Sequence, residues 1–199
     1  MIYLVGGKHR TGTSMMTRAI ALGLGLPALG APADPKSLDS FIDAREAKVS
    51  GYEPNPNGYY TAAWEPLVGA AGGLKGFLES LDGRVAKVHP IFAVQLPDLP
   101  NLTVVWMVRD ERERAESWQK AFGSTLNGLE DAYEVKVFDH LTSLKQAQVI
   151  FVSYNEVMVN PVPAMTKIVG PKAADLAAYV DPSLYRNKVI DPAPVVPLG

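Results

Sequence analysis

Residues 2–26 constrain the fold of this chain more than any other stretch. Ile2-Tyr-Leu-Val5 is short, apolar and strand-like. Gly6-Gly-Lys-His-Arg-Thr-Gly-Thr-Ser14 follows as a glycine-bounded loop, and the apolar-rich residues 15–26 continue as a helix. A strand that turns through such a loop straight into a helix opens an α/β fold. The loop has a chemical meaning as well. Backbone N–H groups of a glycine-rich loop and of the first helical turn converge on an anion, and the helix dipole favours negative charge there. An ordinary βα connection is the plain alternative. Against it stands Arg10, a cation carried inside the loop itself.

Further apolar β-type runs are found at residues 85–88, 102–108 and 149–152. Leu102-Thr-Val-Val-Trp-Met-Val108 is almost wholly apolar, as a strand covered on both faces is. Helical patterns cover 13–24, 37–49, 62–81, 111–122, 129–146, 164–169 and 172–179. Strands alternating with helices predict a three-layer α/β/α domain with a central parallel sheet, its right-handed crossovers placing helices on both faces. The expected organisation is a single domain over 1–190 and a proline-rich, extended tail over 191–199. The Pro/Gly-rich stretches 25–35 and 51–58 read as loops over the sheet edge.

Composition excludes some function classes. The chain has 199 residues, 47% of them hydrophobic and 20% charged, enough for a full core. A net charge of −2 gives no global basic field for nucleic acid. There is no cysteine, hence no disulfide and no thiolate metal site. A reducing, cytoplasmic setting is the expectation. Arg18 and the apolar run 19–29 loosely imitate a signal peptide, but Gly23, Gly25 and Pro27 interrupt the run. No run is long enough to span a membrane.

The frame Gly7-x-x-x-x-Gly12-Thr13-Ser14 is one residue from a Walker A loop, with Thr13 where the lysine would stand. Lys8-His9-Arg10-Thr11-Gly12-Thr13-Ser14 instead resembles the phosphosulfate-binding loop of sulfotransferases that use 3′-phosphoadenosine-5′-phosphosulfate (PAPS), which reads Pro-(Lys/Arg)-Ser-Gly-Thr-(Ser/Thr). His9 replaces the proline and Thr11 the serine, while Arg10, Gly12, Thr13 and Ser14 match.

Two further elements follow in the order of that family. The run 102–108 ends in Arg109-Asp110, and Ser117 lies eight residues beyond Arg109. The resemblance implies that this pair binds the nucleotide's 3′-phosphate; Glu111 stands where proline is usual. A guanidinium suits that task because it gives paired charge-assisted hydrogen bonds. The plain alternative is an ion pair of Arg109 with a nearby carboxylate such as Asp110, on a helix whose alternating Glu and Arg form a solvated face. Lys87-Val-His89 resembles the Lys-x-His strand on which the histidine is the general base. Val88-His89-Pro90 aligns equally with a Lys-Asp-Pro variant that has no such base.

Weaker likenesses extend this. Asn55-Pro-Asn-Gly-Tyr-Tyr60 resembles an acceptor-side element, with Thr61 in place of its glutamate and Glu65 the nearest acid. Tyr154-Asn-Glu156 with Asn160-Pro161 resembles the family's Tyr-Glu-Asp…Asp-Pro signature, whose tyrosine lies beside the nucleotide; Arg186 would complete the 3′-phosphate pocket. Tyr154 and Trp64 are the candidates to stack on adenine, and mid-strand Trp106 reads as core.

The resemblance therefore implies a P-loop NTPase-like fold. It also implies a sulfotransferase that moves a sulfuryl group from PAPS to a hydroxyl or amine of a small-molecule or glycan acceptor and releases PAP without a metal. The catalytic residues would be Arg10, Lys87 and His89. The nucleotide would be held by Arg10, Thr11, Gly12, Thr13, Ser14, Arg109, Ser117, Tyr154 and Arg186. A kinase-like phosphotransferase and a non-catalytic nucleotide-binding homologue are the alternatives.

Overall fold

The structure is a computed structural model that describes residues 1–29, 64–125 and 129–184. The expected helix over 37–49, the 55–60 element, Arg186 and the tail 191–199 lie outside these residues. Four strands, β1 (Ile2–Gly7), β2 (Val85–Val88), β3 (Leu102–Val108) and β4 (Gln148–Ser153), form one sheet in the order β2-β1-β3-β4. All pairings are parallel: Tyr3 faces Val85, Ile2 faces Leu102 and Thr103 faces Gln148.

Alternation along the strands sorts the core into two halves, because successive side chains leave a strand on opposite faces. On one face Val5, Val105, Met107 and Val152 pack against α1 (Thr13–Leu24), α7 (Tyr154–Val159), α8 (Pro161–Val169) and α9 (Ala173–Ala177). On the other, Ile2, Leu4, Val88, Val104 and Trp106 pack against α2 (Trp64–Ala70), α3 (Leu74–Glu79), α4 (Pro90–Ala93) and α6 (Leu129–Ser143). The three-layer arrangement with a parallel sheet is thus present. The remaining helix, α5 (Glu111–Phe122), follows the carboxyl end of β3, and its polar side meets the loop after β1.

Two helices differ from the periodicity. The expected helix over 62–81 is broken between α2 and α3, where Gly72-Gly73 ends the first and the Gly73 N–H donates to the Val68 carbonyl (2.9 Å). The helix expected to reach residue 146 stops at Ser143, because the Asp98 carboxylate takes the N–H groups of Lys145, Gln146 and Ala147 at 2.7–2.9 Å. These backbone donors, that of Ala147 foremost, hold the Asp98 carboxyl below the usual carboxylate range.

β1 lies between β2 and β3, so the chain departs to one side of it and returns on the other. In open α/β sheets such a reversal of strand order opens a crevice beyond the carboxyl ends of the strands. The loop after β1 and Arg109 at the end of β3 both lie there.

Candidate functional site: a loop at the carboxyl end of the sheet

The loop is a tight turn closed on itself. The N–H and Oγ1 of Thr11 both donate to the Lys8 carbonyl, at 3.3 and 2.7 Å. Arg10 adopts φ 67°, the one non-glycine residue in the left-handed region among the described residues. That conformation costs an L-residue roughly 1–2 kcal/mol. Gly7 and Gly12 are required as glycine. A Cβ at Gly7 (φ 151°) would lie 2.4 Å from Thr11 Oγ1 and 2.6 Å from the Met107 carbonyl. One at Gly12 (φ 88°) would lie 2.4 Å from the Tyr154 ring.

Gly12 is also the N-cap of α1, and no side chain caps that helix. Its first intrahelical bond runs from the Met16 N–H to the Gly12 carbonyl (3.0 Å), so the amides of the first turn have no acceptor within α1. With the helix dipole behind them they form a site suited to an anion.

Side chains from three strand ends gather on this loop. Arg10 Nε donates to Ser117 Oγ at 3.0 Å. Arg109 Nη1 donates to the Arg10 carbonyl at 3.0 Å. From β2, Lys87 Nζ donates to Ser14 Oγ at 3.1 Å. Arg10, Ser14, Lys87, Arg109 and Ser117, spread over more than a hundred residues of sequence, therefore share one place. Arg109 and Ser117 meet through Arg10 rather than directly.

Arg109 has a second engagement. Its Nε pairs with Glu113 at 3.0 Å, with both side chains buried, and its guanidinium lies 4.1 Å from the Tyr154 ring centroid. The carboxylate partner is Glu113, one helical turn on, whereas Asp110 caps α5 by accepting from the N–H groups of Arg112 and Glu113.

The other predicted residues are placed as follows. The Thr11 hydroxyl is buried in its own turn, while Thr13 and Ser14 are half-buried at the mouth. His89 is exposed, caps α4 through Nδ1 (3.4 Å from the Ile91 nitrogen) and meets the ring of His9 edge-on at 5.7 Å. Tyr154 is buried beneath Gly12 and Arg109. Trp64 lies in the opposite core, its ring against Phe77 and Phe92, far from a nucleotide-stacking role. Trp106 is core, its ring over Gly6.

Sequence reasoning missed three buried charged residues. Lys8 is buried, with Nζ 2.6 Å from Glu111 and 2.7 Å from Glu134. Arg114, fully buried, donates Nε to the His9 carbonyl at 3.1 Å and pairs with Glu111. Glu113, almost fully buried, also accepts from Asn155 Nδ2 at 3.2 Å. The helix expected to be a solvated face is exposed at Glu111, Arg112, Ala115, Glu116, Gln119 and Lys120, while Glu113, Arg114 and Ser117 are buried. The spacing of three through Glu111, Arg114 and Ser117, one side of a helix, was the available signal.

Among the described residues, no group of three or more His, Asp or Glu is set to hold a metal ion, and no helix is long and apolar enough to cross a membrane. No protein-family model matches the chain, and no curated protein matches it in sequence.

Proposed function

We propose that this chain is a sulfotransferase with a P-loop NTPase-like core, moving a sulfuryl group from PAPS to a hydroxyl or amine. One observation carries the reading. Three elements whose order and residues resemble those of PAPS sulfotransferases meet at one loop, through Arg10–Ser117, Arg109–Arg10 and Lys87–Ser14 contacts of 3.0–3.1 Å. The uncapped α1 N-terminus fits the 5′-phosphosulfate, with Thr13 and Ser14 as hydroxyl donors.

In the proposed reaction the acceptor oxygen or nitrogen forms a bond to sulfur as the bond from sulfur to the bridging oxygen of PAPS breaks. The acceptor proton passes to a base, and PAP departs with the bonding pair. Arg10 and Lys87 stabilise charge growing on the bridging oxygen. His89, exposed at the mouth, is the base. The protein contributes mainly position and preorganised positive charge.

One observation favours a kinase-like phosphotransferase as a second reading. Arg109, which the resemblance assigns to the 3′-phosphate, is held by Glu113 and by the Arg10 carbonyl. Calorimetric titration with PAP, and separately with ATP and Mg²⁺, decides between them. Metal-independent PAP binding with poor ATP binding supports the sulfotransferase; ATP binding that requires Mg²⁺ and ignores the 3′-phosphate supports the kinase. PAP bound tightly without transfer to any acceptor would indicate a non-catalytic homologue. With an acceptor in hand, Arg10→Ala should slow transfer by roughly 100- to 1,000-fold, the scale of losing one preorganised stabiliser. A rate near wild type would overturn the assignment.

A further inference from the structure

Two buried guanidiniums hold successive carbonyls of the loop. Arg114 Nε donates to the carbonyl of His9 at 3.1 Å, and Arg109 Nη1 to the carbonyl of Arg10 at 3.0 Å. Each arginine is in turn fixed by an acid of α5, Arg114 by Glu111 and Arg109, at the end of β3, by Glu113. Across a trans peptide the C=O and the following N–H point in opposite directions. A carbonyl drawn towards one of these arginines therefore turns the next amide away from it. The same two bonds bracket Arg10, the residue in the strained left-handed conformation, and oppose its relaxation.

Burial makes a merely space-filling role a poor account of Arg114. A buried guanidinium bears a desolvation cost that a well-packed apolar side chain of similar volume avoids. What only the guanidinium supplies here is a donor that reaches a loop carbonyl while its charge is answered by a carboxylate.

We propose that Arg114 and Arg109 are positioning residues that set the anion loop before any ligand arrives, and that neither contacts the nucleotide. This rests on the site being the nucleotide site proposed above, and it assigns Arg109 a different task from the one the resemblance implies. The consequence is specific. Loosening either arginine weakens every ligand that uses the loop by the same factor, with or without a 3′-phosphate.

The test compares PAP with 5′-AMP, which lacks the 3′-phosphate, by calorimetry on wild type, Arg114→Lys, Arg114→Met and Arg109→Lys. Amide hydrogen exchange across residues 8–14 is measured on the same unliganded proteins. The lysine variants keep charge and bulk and guard against loss of the fold, which the unfolding midpoint checks. Expected are losses of about tenfold for both nucleotides, the scale of one hydrogen bond to a charged group. The PAP-to-AMP ratio should stay unchanged and exchange in the loop should quicken while β1 stays protected. Arg109→Lys losing affinity for PAP alone would make Arg109 a 3′-phosphate ligand and overturn its part. Folded Arg114 variants that bind both nucleotides within twofold of wild type, or exchange at the wild-type rate, would overturn the rest. Wild type binding neither nucleotide would sink the sulfotransferase reading, while the exchange rates would still decide whether the arginines set the loop.

Discussion

The two helices that meet the loop are held in opposite ways. α1 is anchored from behind by apolar packing: Met15, Met16, Ala19, Ile20 and Ala21 are buried against the sheet and the C-terminal helices. Its N-terminus carries no acid in the first turn and no side-chain cap. α5 has only Ala121 among its buried apolar residues, is capped by Asp110, and begins with Glu111 and Glu113. Directional polar bonds hold it instead, to Lys8, His9 and Arg10 in succession. The helix whose N-terminus suits an anion is left electrostatically open and fixed by contacts that do not compete for its amides. The helix that shapes the loop uses bonds that work at one geometry only.

Four changes would break or sharpen this contrast. The largest effect on stability is expected on the apolar side. Ile20→Ala should cost about 2–5 kcal/mol, as buried isoleucine truncations do. Urea unfolding that shows under 1 kcal/mol would mean α1 is not the apolar anchor described. On the polar side Asp110→Ala should cost about 1 kcal/mol through the lost N-cap of α5. If α5 sets the proposed nucleotide site, PAP affinity should fall alongside, which the larger loss of stability at Ile20 should not cause in the folded fraction.

A smaller change is expected at Arg10. For Arg10→Gly, relief of the left-handed strain is offset by the freer unfolded chain and by the lost bond to Ser117. Stability should therefore stay within about 1 kcal/mol of wild type, while the sulfuryl transfer proposed above should fall steeply. A large destabilisation would show Arg10 to be a structural member of the α5 contact rather than the ligand's cation.

The mildest effect lies away from both helices, at Asp98. Its folded carboxyl titrates below the usual range, so the stability it contributes is fully present above the unfolded value near 4 and is lost as pH falls through the lower folded value. Asp98→Asn should flatten the acid limb of stability measured from about pH 4 downward. An unchanged limb would show that the 145–147 amides do not hold the carboxylate in solution.

The course of the chain was legible wherever one force dominated. Residues 85–88 and 102–108 are strands, and 13–24 and 111–122 are helices, at the bounds their apolar runs and flanking loops set. Periodicity alone does not show where Gly72-Gly73 and the amides held by Asp98 end the helices early. Tyr154-Asn-Glu156 reads as a motif in sequence, and only its place after Ser153, the N-cap, makes it the first turn of α7. The site follows the same rule. The resemblance implied one site for Arg10, Arg109 and Ser117, but not the Arg10–Ser117 bond that joins them. The burial of Lys8, Glu113 and Arg114 could not be read, because charged residues of a loop and of a helix are solvated in isolation and are covered only when the two meet in the fold.

That distance has a consequence in time. β1 is synthesised before both of its neighbours, which begin at Val85 and Leu102, and Arg10 meets Ser117 across 107 residues. At translation rates of roughly 5–20 residues per second, the amino-terminal loop waits roughly 5–20 s for the helix that shapes it. During that interval the nascent chain carries an apolar strand without its sheet and a loop without its template. Synthesis of α5, rather than emergence of β1, starts the clock for the site.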